Sequence, residues 1–516
     1  MKKYIIASMI MASAFAACSE SDLEQTNPNA LVSENSWSTE KDINAGLTAC
    51  YHTLYNSYYN CINTTLIDGQ SDEFYSQSPD SRVVNFVNLT YPDYNQNWNK
   101  LGWQYLYQAV FRANQVIINA DKVQFANEAD KVSLVAQARA LRGMDYYYLA
   151  MLWKKAPLVD WISSPSDQAK ESTFDNLVSF IEADLKYAAE NLPESYNEVG
   201  RVNKYFAYSF LGKLYMNSAQ WAKAKEALAV VVKSNKYSLV ADYKDNFKHT
   251  TENNSESIFE IQNSDANQVI NGFYGIANDS SPCSYSSYRE KFLSPSPYGF
   301  GDYSVYDWLV SMYKDEKDRN GNYDVRLKDN IVYPDIFKDF PGEKIYLTKD
   351  SWNSANWGTY DWCRKYSTDY YRSSTTFYNP INIRILRYGE ILLSYAESLV
   401  MADGASSITE AAKYVDMVRE RANLYKLSQS VHSDCLNSKD AFIARLRIER
   451  EKEICFEYDR FFDLRRWGLG TDDTFTNEVK ARCVKYANNF KSGKQWLPIP
   501  QSEVDNNPNL TQNDNY

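Results

Sequence analysis

The stretch that most narrows the choice of fold is 203–236. Leu211, Gly212 and Tyr215 are followed by Ala224, and around them Leu214, Leu228, Val231 and Val232 recur at helical spacing. Ala219-Gln220 falls between the two apolar runs and reads as a turn, with Trp221 opening a second helix. Gly212 and Ala224 carry almost no side chain, so two helices can approach closely there. Leu214, Leu228, Val231 and Val232 then line the seam. One such pair cannot bury its apolar face alone, and the rest of the chain must supply neighbours.

Leu-Gly-x-x-Tyr with a later alanine is the pattern of one tetratricopeptide unit. The expectation is a mainly α protein: a tetratricopeptide-like helical-hairpin scaffold (an α-α superhelix) with long irregular loops and a few short strands. A length of 516 residues suits one large helical body with insertions. A helix capped by Ser38 or Thr39 carries Ile43, Leu47, Cys50 and Leu54 at helical spacing. Residues 64–95 are polar and irregular. Helices are expected after Trp98 and Trp103, over 129–153 before Pro157, and over 174–191 before Pro193. A short strand is expected over 257–262, and from 263 to 382 the helical period largely disappears. It returns over 385–401 and 408–422 as a second hairpin, and over 440–467 as one charged amphipathic helix, before an extended tail from Trp496.

A hydrophobic fraction of 44% and a charged fraction of 23% exclude bulk disorder. The aromatic content is unusual: Tyr 42, Phe 23 and Trp 12. Tyrosine has a flat apolar body and a polar tip, which suits half-wet binding surfaces as well as helix seams. The net charge is −11, and no basic stripe interleaved with aromatics occurs, so nucleic acid is excluded as a partner.

Residues 1–17 read as a signal peptide: Lys2-Lys3, then the apolar run 5–14, too short to stay in a bilayer as a spanning helix. Phe15-Ala16-Ala17-Cys18 resembles a lipobox, which makes Cys18 the acylated first residue of the mature chain; the alternative is an ordinary signal peptide cut at a nearby Ala-x-Ala. Residues 18–37 form an acidic tether, beginning Ser19-Glu20-Ser21-Asp22-Leu23-Glu24. Seven further cysteines (50, 61, 283, 363, 435, 455 and 483) contain no Cys-x-x-Cys pair, so a zinc ribbon is not expected; an oxidising compartment leaves room for one or two bridges.

Five separated blocks then resemble the SusD/RagB family of outer-membrane nutrient-binding lipoproteins. They are Ala138-Arg139-Ala140-Leu141-Arg142 with Tyr146-Tyr147-Tyr148 and Ala156-Pro157-Leu158; Gly200-Arg201-Val202-Asn203; Arg387-Tyr388-Gly389-Glu390 with Tyr395-Ala396-Glu397 and Val418-Arg419-Glu420-Arg421-Ala422; Glu449-Arg450 with Glu453, Glu457, Arg460 and Arg466-Trp467-Gly468; and Leu497-Pro498-Ile499-Pro500 with Asn507-Pro508-Asn509-Leu510. The resemblance implies about four tetratricopeptide-like pairs. It divides the chain into an N-terminal SusD-like helical region, 38–260, and a C-terminal RagB/SusD region, 261–516, whose loops 263–382 carry ligand. It also implies a lipid-anchored position on the outer membrane facing the exterior, a SusC-like TonB-dependent transporter as partner, and a nutrient ligand that is most often a glycan. Acidic residues just after the cysteine resemble the surface-export signal of Bacteroidota lipoproteins.

A pyranose presents an apolar C–H face to an aromatic ring, and its hydroxyls require polar partners at the edge. Two regions offer both: Asp72, Arg82, Asn97 and Trp98, with Trp98 as the exposed ring and Trp103 in the core; and the loop aromatics, above all Tyr298, Trp352 and Trp357. Glu453, Glu457 and Arg460 follow at helical spacing and read as an ion-pair face, not catalytic acids; Glu390 and Glu397 read the same way. No enzymatic motif and no cofactor site is evident. Residues 316–324 fail the EF-hand pattern, so a structural calcium is not indicated. The rival readings are a peptide or glycoprotein-derived nutrient in the same kind of complex, a surface glycosidase, and a structural lid.

Overall fold

The computed structural model describes residues 37–56, 58–91, 94–164, 167–266, 286–295, 298–345, 360–373 and 378–516. The signal peptide, Cys18 and all of the tether except its last residue lie outside them. The frame is a row of helices: α1 (Glu40–His52), α2 (Asn97–Ala120), α3 (Glu128–Trp153), α4 (Phe174–Asn191), α5 (Lys204–Asn217), α6 (Trp221–Val232), α7 (Tyr388–Asp403) and α8 (Ile408–Arg421). Each packs on the next, including α6 on α7 across the long intervening sequence. These are four helix pairs, the number the resemblance implies.

Local chemistry sets the helix boundaries. Thr39 and Asp42 form a capping box at α1, satisfying free N–H groups at its first turn. The Asn203 side chain accepts from Tyr205 N and Phe206 N at 2.9 and 3.0 Å and starts α5. At Gly212, an added Cβ would run into the Leu228 side chain, so glycine lets α5 and α6 close. Leu214, Leu228, Val231 and Val232 are buried in that seam, as the spacing requires.

Two expectations need correction. Residues 385–387 do not begin a helix: β6 (Ile383–Arg387) is a strand, antiparallel to β2 (Ser257–Ile261), and α7 starts at Tyr388. The helix expected over 440–467 is two, α9 (Lys439–Ile454) and α10 (Arg460–Arg466). Between them Phe456 and Tyr458 take φ of 64° and 68°, and Phe456 N and Tyr458 N donate to Glu73 Oε1 and Asp68 Oδ1 at 2.7 and 2.9 Å. Acids from the 68–73 segment thus take the N–H groups that a continuous helix would use.

The carboxylates read as ion-pair partners are paired, and they are buried. Glu453 accepts from Arg387, Arg326 and Arg421. Glu457 accepts from Arg387 Nε and Lys365 Nζ, both at 2.6 Å, and Glu449 pairs with Arg419 and Arg445. Glu390 pairs with Lys213 at 2.7 Å, and Glu397 with Arg466. A buried charge must be paired, and here almost every partner comes from another element. The six described cysteines are buried, and no bridge forms among them. Among the described residues no helix is long and apolar enough to cross a membrane.

Candidate functional site

Short strands outside the helical row gather the loop aromatics. β1 (Phe74–Tyr75) pairs antiparallel with β3 (Ser304–Val305), with Tyr75 opposite Ser304. Val305 N donates to Asp361 O at 2.8 Å, which brings in β5 (Trp362–Cys363), itself paired with β4 (Ile331–Val332). Strand side chains alternate between faces. Phe74, Tyr303 and Val305 therefore point inward and are fully buried. Tyr75 and Tyr306 fall on the other face, half-buried, with ring centroids 4.9 Å apart. Half-buried Tyr360 adds a third ring, 6.4 Å from Tyr75 and 6.2 Å from Trp362.

A polar edge follows β1 in the chain. β1 runs on to Ser76 and Ser78, whose hydroxyls donate to Asp302 O and Oδ1. Asp80 follows, holding Arg82 through Nε at 2.8 Å. Gln96 Nε2 donates to Arg82 O, and the Gln96 side-chain oxygen accepts from Trp98 N, fixing the start of α2 beside this edge. Exposed Asp307 lies next to Tyr306 in the chain. Burial, with the Asp307 charge adding to it, pushes Asp361 up to about 7. Flat rings with the Asp307 and Asp361 carboxylates close to Tyr75 provide the ring faces and acceptors that a ring-stacked polyol requires.

The predicted residues divide three ways. Arg82 and Tyr298 are half-buried and Asn97 is exposed, all near this edge or the Trp362 cluster; the Tyr298 carbonyl accepts from Lys291 Nζ at 2.8 Å. Asp72 and Trp98 are corrected. Asp72 is fully buried between Arg460 and Arg482, with Oδ1 2.7 Å from Arg460 Nε and Oδ2 2.7 Å from Arg482 Nε. Burial opposes its ionisation, but the two guanidinium groups outweigh that and hold it below the usual carboxylate range. Trp98 is 2% exposed and packs edge-on against Phe292, with centroids 5.5 Å apart. Trp103 is buried against Trp153, as expected of a core residue. Trp352 and Trp357 lie outside the described residues. Tyr75 was missed: its only signal is the Phe74-Tyr75 alternation inside a stretch that reads as irregular.

The carboxylates weighed in the sequence as catalytic acids or calcium ligands are held by basic side chains. A glycosidase acid needs access and a raised pKa. Glu453 is fully buried and, against the cost of burial, Arg421, Arg387 and Arg326 hold it low. In the 316–324 segment, Glu316 pairs with Arg419 and Asp324 with Arg326, so arginines take the carboxylates that a calcium would use. Among the described residues Asp315, Glu316 and His432 converge, but Arg445 and Lys452 already neutralise that group.

Residues 255–516 match the family model described as SusD family, and residues 23–216 match one described as starch-binding associating with outer membrane. The chain is 27% identical to SusD-like protein P2 of Formosa agariphila, covering 99% of both chains. It superposes on a SusD superfamily protein from Bacteroides vulgatus with a TM-score of 0.77 at 26% identity, over 93% of this chain and 100% of that one. It also shares its fold with surface glycan-binding protein A of Bacteroides thetaiotaomicron, solved in complex with laminarihexaose, with a TM-score of 0.70 at 22% identity over 92% of this chain and 100% of that one. A full-length match of this kind, on a row of four helix pairs carrying an aromatic loop face, places the chain in the SusD family.

Proposed function

We propose that this protein is a non-enzymatic, surface-anchored glycan-binding subunit that hands an oligosaccharide or polysaccharide to a SusC-like TonB-dependent transporter. The observation that carries the reading is the outward face of β1 and β3, where Tyr75, Tyr306 and Tyr360 meet with the Asp307 and Asp361 carboxylates close to Tyr75. Family membership supports it, as does the binding of laminarihexaose by a relative of the same fold. Rings held on paired strands lose little entropy when ligand binds, and the carboxylates set orientation. The lipidated Cys18 and the acidic tether are part of the same proposal.

Native gels containing soluble starch, laminarin, xyloglucan or galactomannan test the binding. The parent is expected to be retarded in at least one, and Tyr306→Ala/Tyr360→Ala to lose most of that retardation. Trp352→Ala and Trp357→Ala belong in the series, because the sequence puts both within eight residues of Tyr360. A parent that runs freely through every gel overturns the reading. Cys18→Ala, expected to lose the acyl label and the membrane fraction, tests the anchor.

A further inference from the structure

A second aromatic cavity, built from other residues, lies between α2, residues 157–164 and 167–169, and the C-terminal tail. Its volume is about 480 Å³, within the range of small-molecule sites. Trp103 and Tyr107 form one wall, with centroids 5.0 Å apart. Trp161 forms the other and is 39% exposed, among the most exposed large aromatics described.

An exposed tryptophan in a loop is ordinarily a free rotor; this one is fixed. Its indole N–H donates to Asp167 Oδ2 at 3.1 Å, and Ser164 N donates to the same oxygen at 2.8 Å. Its carbonyl accepts from the buried Asn114 amide at 3.0 Å, and Asn114 is in turn held by Arg142. Tyr107 Oη donates to Pro157 O, and the amides of Asn507 and Asn509 donate to the carbonyls of Ala169 and Gln168, stitching loop to tail. The Trp161 indole N–H is already spent inside the protein, so what the ring offers a ligand is its face. The rim offers Gln104, Glu503 and Asn506, and among the described residues no lysine or arginine lines the cavity. A carboxylated or sulfated saccharide would find no counter-charge there, whereas neutral hydroxyls find acceptors and amides.

We propose that this cavity is a second glycan subsite, which takes a neutral hexose unit stacked on Trp161. It rests on the glycan-binding reading above, and shares no described residue with the Tyr75–Tyr306–Tyr360 face. Two separated subsites on one chain raise the avidity for a polymer without any new contact at either site.

The experiment repeats the native gels with polygalacturonate added as an anionic probe, comparing the parent, Trp161→Ala, Trp161→Phe, Tyr306→Ala/Tyr360→Ala and the triple alanine variant, each checked for parental melting. Trp161→Ala is expected to weaken retardation by the retarding neutral polysaccharide by about tenfold, the size of one lost aromatic contact. Trp161→Phe is expected to keep most of the retardation, and the triple variant to lose what the tyrosine double variant retains. If Trp161→Ala is retarded like its own background in every gel, the second subsite is overturned while the first reading stands. Retardation by polygalacturonate alone, removed by Trp161→Ala, overturns the choice of a neutral sugar. If no gel retards the parent, both readings fall together.

Discussion

Two regions of this molecule look like sites, and they differ in what their polar groups have left to give. Around Glu453 the charges are packed to saturation: Arg387 alone reaches Glu256, Glu453 and Glu457, and none of the four is more than 7% exposed at its side chain. Around Tyr75 the rings are half-buried, and the acids beside them include exposed Asp307. On the proposed reading, density of chemistry does not locate function here. Charges sealed among counter-charges fix how the helix pairs and strands meet; half-exposed rings on a rigid strand face are what a ligand can reach.

The strongest way to break that contrast is Arg387→Ala. It strips one guanidinium from three buried carboxylates and is expected to cost about 3–5 kcal/mol, read as a fall in the urea midpoint. Sugar binding per folded molecule should not change; if it falls while stability holds, the ion lattice is part of the site.

Asp72→Asn sharpens the line between the two regions, because Asp72 was a predicted ligand residue and sits in the lattice. Loss of its charge-assisted bonds to Arg460 and Arg482 is expected to cost about 1.5–3 kcal/mol of stability and to leave affinity unchanged. A loss of affinity without destabilisation would return Asp72 to the binding site.

Asp145 tests the same logic in the negative. It is buried in α3 and accepts from Tyr59 Oη at 2.7 Å, and burial pushes it from the usual 3.8 up to about 8. The folded state thus holds a proton that the unfolded chain releases, so this contribution to stability is lost as pH rises from about 4 to about 8. Asp145→Asn is expected to match the parent near pH 4 and to exceed it by several kcal/mol above pH 8. Urea melts at both pH values check this, and an equal effect at both would show that Asp145 folds in already ionised.

What the sequence revealed follows the range of the interactions involved. The α5–α6 hairpin was legible because its determinants are local: Asn203 caps, Gly212 admits Leu228, and Ala219-Gln220 turns. The lattice was legible as ion pairs but not as buried ones. Helical spacing shows Glu453 and Glu457 one turn apart; it does not show Arg326, Arg387 and Arg421 converging from elsewhere. Trp98 was assigned to the surface for the same reason, since the ring that covers it, Phe292, comes from a stretch with no periodic signal. Tyr306 and Tyr360 stood among the loop aromatics, but their meeting with Tyr75 depends on the β1–β3 register, which two-residue strands do not announce.

The central claim is that ligand is held by the half-exposed rings and not by the buried charges. Its most direct test is isothermal titration of the parent and of Tyr306→Ala/Tyr360→Ala with an oligosaccharide of whichever polysaccharide retards the parent. Affinity is expected to fall about tenfold or more for the pair of lost ring contacts, with unchanged melting. Equal affinity in the two proteins would contradict the account.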